Sequence, residues 1–320
     1  MKQRIKCWSA MVLASLFLLS GCGGEKKPAE VYTEEYTVEE AAGETMPTTG
    51  AEFQVKLPEA SGEVVYGENG VTIDASHTAE GYVMVKCEDD SALLKVILSG
   101  PNGMKFTYDL NGEGRYETYG LSDGDGVYTV GIYQNIEDAK YAVLFSQEIE
   151  VALEDPFLPF LCPNQYVNYT MESNAVELAA ELTAGMTDEL EQVQAIYDYV
   201  IKNISYDTEK AKNVKSGYLP DVDAVLAEKK GICFDYAALM TAMLRSQGVP
   251  TKLVTGYTGS AYHAWISTYS KETGWVEGVI FFDGTTWKLM DPTFASSGGS
   301  SEDIMEYIGD GKNYKEKYLY

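Results

Sequence analysis

Basic residues are scarce in this chain. Lysine and arginine total 24 against 49 aspartates and glutamates in 320 residues, for a formal charge of −25. A surface of that sign repels nucleic acid and anionic headgroups, so no nucleic-acid partner is expected. Histidine is scarcer still, with only His77 and His263, and none of the five cysteines forms a CxxC pair. The usual zinc donor sets are thereby excluded, and neither a metal nor a cofactor is expected. Long apolar runs are also missing: the one run, Trp8–Leu19, is too short to span a bilayer comfortably. What remains, 45 % hydrophobic and 23 % charged, is enough to bury real cores.

The apolar run follows Lys2, Arg4 and Lys6 and closes on Leu19-Ser20-Gly21-Cys22, so residues 1–21 read as a signal peptide. The closing tetrad resembles a bacterial lipobox. That resemblance implies cleavage before Cys22, lipid on its sulfur, and an extracytoplasmic protein that meets the membrane through the anchor alone. Residues 22–50, rich in Glu, Thr, Ala and Pro, read as a flexible acidic tether reaching on the order of 30 Å as a random coil. Three cysteines remain, Cys87, Cys162 and Cys233, and an odd number leaves at least one unpaired. A Cys87–Cys162 bridge stays open at this point.

Residues 51–154 are written in β code. Val71–Ala75, Tyr82–Cys87, Leu93–Leu98, Met104–Leu110, Tyr116–Leu121, Val127–Tyr133 and Tyr141–Leu153 alternate or are β-branched and aromatic, with Gly, Asn and Asp between them. That spacing predicts a sandwich. Leu121–Tyr128 resembles the tyrosine corner of immunoglobulin-like domains, with Tyr128 as hydroxyl donor, although Val130 stands where those domains carry a cysteine. Asp123-Gly-Asp125-Gly reads as a plain turn, because a calcium loop would not continue with Val127 and Gln134. Cys87 shares a strand face with Val83 and Val85 and reads as core. His77 reads as a surface histidine.

Residues 155–172, with three prolines, are the expected linker to a second domain over 173–320. There Ser173 is the expected cap of a helix over 174–184, Thr187 that of a helix over 188–203, and 221–229 a third. After Gly248 come strand runs Thr251–Tyr257, His263–Tyr269, Trp275–Phe282 and Thr286–Met290, with a short helix beginning at Ile304–Tyr307. Helices followed by antiparallel strands make an α+β order.

Between them lies GICFDYAALMTAMLRSQG, Gly231–Gly248: a glycine turn, a helix starting at Cys233, a glycine stop. A thiol at a helix N-terminus sits where free N–H groups and the dipole favour a thiolate. His263 begins a strand, and Asp291, before Pro292, ends one. Singly, each has a plain reading: core thiol, structural histidine, turn aspartate. Together they are the parts of a Cys-His-acid acyl-transfer centre. Asp235 in the first turn reads as a dipole partner.

AIYDYVIKNISYD, VDAVLAEKKGIC, FDYAALMTAMLRSQGVPTKLVTGY, HAW and WKLMDPTF, in this order over Val193–Phe294, resemble the transglutaminase-like superfamily. The resemblance implies a papain-like α+β core with Cys233 as nucleophile, His263 as base and Asp291 as orienting acid. The Cys233 N–H would be one oxyanion donor, with Tyr206 or Gln194 the candidates for a second. Trp265 and Trp287 are candidate cleft walls, although burial alone would account for both. The expected function is a membrane-tethered cysteine peptidase or amidase acting on a peptide or protein, cell-wall material included. The alternatives are a cross-linking transglutaminase, or a surface lipoprotein that binds without turnover. Papain itself fits less well, since its histidine follows the thiol by far more than thirty residues.

Overall fold

The computed structural model describes residues 55–88, 93–258, 261–276, 280–282, 287–289 and 314–320, which cluster within one compact unit, Glu44–Tyr320. The signal, the tether, Cys22, Asp291 and the Ile304–Tyr307 helix start lie outside the described residues.

The first half is two four-stranded antiparallel sheets. One has the order β1 (Val65–Glu68), β2 (Val71–Asp74), β3 (Tyr82–Cys87), β6 (Glu117–Gly120). The other has the order β5 (Lys105–Leu110), β4 (Leu94–Ser99), β7 (Gly126–Glu137), β8 (Lys140–Val151). Alternation decides which side chains turn inward: Val83, Val85 and Cys87 from β3, Leu94, Val96 and Leu98 from β4, Phe106, Tyr108 and Leu110 from β5. All of them join one apolar cluster. Tyr128 closes the turn before β7, its hydroxyl donating to the Gly124 carbonyl at 3.0 Å and accepting from the Asp123 N–H at 2.8 Å. The Asp123 carboxylate accepts from Asn102 N–H at 2.9 Å, as a turn residue does. One strand lies outside the runs predicted from the sequence, and one expectation needs correcting. Edge strand β1 is nearly all exposed, so it shows no alternation to read. His77 is half-buried, with Nδ1 3.0 Å from Glu80 Oε1 and its ring stacked on Tyr82.

Residues 155–172 do not run free. Phe157, Phe160, Leu161, Cys162, Val167 and Tyr169 are buried, which seals the β half against the rest. Cys162 and Cys87 are buried free thiols. Burial pushes Cys162 up to about 11, offset in part by Arg245.

Four helices follow: α1 (Asn174–Leu182), α2 (Glu189–Asn203), α3 (Thr208–Asn213) and α4 (Val222–Glu228). The cap of α2 is Asp188, whose Oδ1 accepts from Leu190 and Glu191 N–H, and not Thr187. An ionised acceptor outcompetes a hydroxyl one residue earlier. Ser173 stands at the start of α1, but its Oγ accepts from Thr170 N–H and caps nothing. A parallel bridge joins β9 (Ser205–Tyr206) to β10 (Lys230–Gly231). Helix α5 (Cys233–Ser246) packs on α1, α2 and α4, and on β11 (Thr251–Thr258) and β12 (Ala261–Ser270). Every residue of α5 from Asp235 to Ser246 is buried. It is a core helix with no solvent face.

The sheet on which α5 lies has the order β13 (Gly274–Val276), β12, β11, β16 (Tyr314–Leu319), all antiparallel, with β14 (Ile280–Phe282) and β15 (Trp287–Leu289) forming a separate pair. The expected single strand Trp275–Phe282 is therefore two, in different sheets. Near its end α5 buries Arg245 completely. The guanidinium donates to three carbonyls from distant segments: Nε to Thr251 at 2.9 Å, Nη1 to Cys162 at 2.6 Å, and Nη2 to Tyr320 at 2.7 Å. Burial pushes its pKa down to about 10, so it stays a cation at neutral pH. Replacing it by alanine orphans three buried acceptors, each costing about 1–3 kcal/mol. Arg245→Ala should lower urea stability of the full chain by at least about 3 kcal/mol, and Arg245→Lys by less. A midpoint within error of wild type would show that these bonds contribute nothing net.

Candidate active site

Cys233 is the first helical residue of α5 and half-buried. Its position is fixed from both sides. Gly231 precedes it in the bridge to Tyr206, where a Cβ would sit 2.7 Å from Asp235 Cβ, so only glycine lets the chain turn this tightly into the helix. Asp235, fully buried, accepts from the Ile232 N–H at 2.8 Å and so closes the helix start. Asp235 also accepts from the Tyr218 hydroxyl, and from Lys210 Nζ at 2.7 Å. The sequence reading of Asp235 as a dipole partner is thus extended: it is the anchor of a three-residue network.

His263 lies on β12 opposite Gly256 of β11 and is 7 % exposed. Gly256 cannot be any larger residue. A Cβ there would meet the Lys315 carbonyl at 2.1 Å and the Trp265 ring at 2.7 Å, at the register shift between β11 and β16. Trp265, 2 % exposed, therefore packs across Gly256 with its ring 6.3 Å from that of His263.

Cys233 and His263 open onto one cavity of about 580 Å³. Tyr206 lines it too, delivered by the β9–β10 bridge. Gln194 does not line it; its amide donates to Asp198 at 2.9 Å, one turn along α2. Trp265 does not line it either, for its ring is spent on Gly256. Trp287 lies in β15, and Asp291 falls outside the described residues. Sequence reading missed the remaining walls. Phe234 follows Cys233 and stands edge-on to Tyr166, which meets Tyr320 edge-on in turn. Burial, followed by neighbouring phenols and, at Tyr166, Asp109, holds Tyr166 and Tyr320 well above the ordinary phenol range, so they line the cavity as neutral hydroxyls. Tyr262 bonds Thr255 at 2.9 Å on the β12–β11 side. Lys95, Thr107 and Asp109 come from the β4–β5 pair in the first half of the chain. Only the fold could reveal these last three, since more than a hundred residues separate them from Cys233. Among the described residues no cluster of three or more His, Cys, Asp or Glu could hold a metal ion.

The Asp235 network gives a pH signature. Burial disfavours the Lys210 cation, but hydrogen bonds to Asp235 and Tyr218 outweigh it and raise its pKa above 10.5. Burial, then Asp235, pushes Tyr218 up to about 12. A raised lysine lends stability that is intact below its unfolded value and is lost as pH climbs through the folded one. The stability difference between wild type and Lys210→Met should thus be flat from pH 6 to about 10 and shrink above about 10.5. Asp235→Ala, which leaves the buried Ile232 N–H unpaired and takes the carboxylate from the half-buried Lys210 cation, should cost about 1–3 kcal/mol at pH 7 in urea titration. A Lys210→Met difference that shrinks near neutrality would contradict the network.

Known proteins match the part of the chain that holds Cys233 and His263. Residues 176–278 match the family model of the transglutaminase-like superfamily. The uncharacterized protein YebA of Bacillus subtilis is 32 % identical over 119 residues, covering 31 % of this chain and 16 % of that protein. The kyphoscoliosis peptidase of Mus musculus is 29 % identical over 127 residues, covering 40 % of this chain and 19 % of the peptidase. The chain thus spans less than a fifth of the length of these curated relatives. A solved structure from Cytophaga hutchinsonii, named a cysteine protease only provisionally, aligns with a TM-score of 0.37 at 15 % identity, covering 80 % of this chain and 78 % of that one. At that score it adds nothing to the assignment. The matched stretch runs from inside α1 to just past β13 and includes both Cys233 and His263, and over those residues the likeness is to a transglutaminase-like superfamily domain.

Proposed function

We propose that this protein is a membrane-tethered cysteine enzyme that hydrolyses an amide through an S-acyl intermediate. The observation that carries the reading is the shared cavity of Cys233 and His263, with the thiol on the first turn of a helix buried along its length. The Cys233 thiolate attacks the amide carbonyl carbon. The amine leaves with the proton that His263 had taken from the thiol, and water, deprotonated by His263, then releases the acid and restores the thiol. Asp291 is assigned the other imidazole nitrogen, holding its tautomer. The Cys233 N–H and the Tyr206 hydroxyl are the proposed oxyanion donors, Tyr206 ahead of Gln194 because it lines the cavity. Water is preferred to an amine as acceptor because one curated relative is named a peptidase.

The remaining assignments follow the sequence. Residues 1–21 direct export, Cys22 takes the lipid, and 22–50 tether a body composed of an immunoglobulin-like sandwich (51–154), a packed connector (155–172) and the catalytic domain (173–320). The Tyr128 hydrogen bonds support the sandwich assignment.

Among the described cysteines Cys87 and Cys162 are buried, so alkylation mapped by mass spectrometry reports Cys233. Its iodoacetamide rate at pH 7 should fall at least about tenfold in His263→Gln. A rate unchanged by that substitution would remove the activated thiolate. Profiling surface peptides in wild type against Cys233→Ala should show products lost in the variant. Incorporation of a labelled amine into a glutamine donor faster than hydrolysis would transfer the assignment to a cross-linking enzyme.

A further inference from the structure

A second cavity of about 760 Å³ lies beside the first, and the two share Asp109, Gln165 and Leu219 as common walls. The second cavity thus lies across this divide from the space beside Cys233, on the β half, along the start of β6 and the connector. Each cavity is of the size that holds one drug-sized ligand or a short peptide segment.

The lining of the second cavity identifies its occupant. Amide side chains dominate its polar part, Asn111, Asn164, Gln165 and Asn168. Asn111 and the Asn164 Oδ1 are already bonded within the protein, which leaves Asn168 and the Gln165 Oε1 to meet a polypeptide backbone, a carrier of donor and acceptor at each residue. Its charges are of both signs, Arg115 against Asp109 and Glu117, so it is not built for a ligand of one charge. The divide is rigid. Gln165, 8 % exposed, donates from its backbone N–H to the Thr118 carbonyl at 2.9 Å and from its amide to the Asp109 carbonyl and the Glu117 carboxylate. Its Oε1 has no partner among the described residues. Exposed apolar side chains lie along the same path: Leu57 and Leu219, each 42 % exposed, in the second cavity, and Tyr262, 55 % exposed, in the first. Apolar side chains gathered in one polar-rimmed channel are a surface meant to be covered.

We infer that the two cavities form one groove for an extended polypeptide, in which the β half supplies a subsite remote from Cys233 and the enzyme selects chains over single-residue amides. The inference rests on Cys233 being the nucleophile as proposed above. Binding energy gained in the remote cavity would be spent on positioning the reacting carbonyl.

The test uses the full chain and electrophilic peptides that trap Cys233. A pool of hexapeptides with randomised residues carries a bromoacetyl group at the N-terminus or a chloromethyl ketone at the C-terminus, and is compared with single-residue probes bearing the same groups. One of the two pools should label Cys233 at least about tenfold faster than its single-residue counterpart. Asn168→Trp and Thr170→Trp, both at exposed positions of the second cavity, should each remove most of that advantage while leaving single-residue labelling unchanged. Equal rates for long and short probes at both ends would overturn the inference, as would an advantage that survives both substitutions. If single-residue labelling is unchanged by His263→Gln, the nucleophile reading has failed. The groove is then decided by fluorescence anisotropy of the labelled, electrophile-free pool on Cys233→Ala. Binding weakened by the tryptophan variants would support it, and no binding would sink it.

Discussion

One buried cation ties this molecule together. Arg245 reaches three carbonyls that belong to the connector, to the strand after its own helix and to the last described strand. A lysine could not make this arrangement, since a single ammonium cannot match a planar fork whose donors point to three separate segments. The position of α5 follows from it, and with α5 the placing of the thiol at the other end of the helix. The two ends use different devices. A charge held by neutral carbonyls fixes the last turn, while Asp235 with Lys210 and Tyr218 fixes the first.

Aromatic side chains join what Arg245 pins. Phe106 and Tyr108 from β5 contact Tyr320, which contacts Tyr166, which contacts Phe234 beside the thiol. These rings pass from the β half to the helix without a gap, so a substitution in β5 can be felt at the cavity. The buried phenols among them stay protonated, which gives the site hydroxyl donors without adding to the negative charge of the chain.

Much of this was legible in the sequence, and the reasons are local. Strands β2 to β5 announced themselves because one face of each is buried and alternation records that face, while β6 to β8 show through their β-branched and aromatic content. Tyr128 and the ends of α5 could be read because turn and cap chemistry lies within a few residues. The failures are of two kinds. Strand β1 and the lysine-rich strand β16 are short or exposed and leave no periodic trace. The cavity walls Lys95, Thr107 and Asp109 carry no local signal at all, for nothing about β4 and β5 says what stands opposite them. Cys233 could be placed because helix starts restrict what such a residue can do, whereas His263, expected to begin a strand, is the third residue of β12. Trp265 shows the limit of that approach: its place on the strand was readable, but not the glycine it covers.

The threefold grip of Arg245 also bears on the order of assembly. Its acceptors are separated by 89 and 69 residues along the chain, from Cys162 to Thr251 and from Thr251 to Tyr320. Contacts of that span close late, because the loop entropy must be overcome before they stabilise anything. The β half closes over shorter spans, its longest strand pairings being β3 with β6 and β4 with β7, while the grip on α5 needs Tyr320. The corner that holds Cys233 and His263 is thus completed late in folding, and a chain caught partway carries its thiol without the cavity around it.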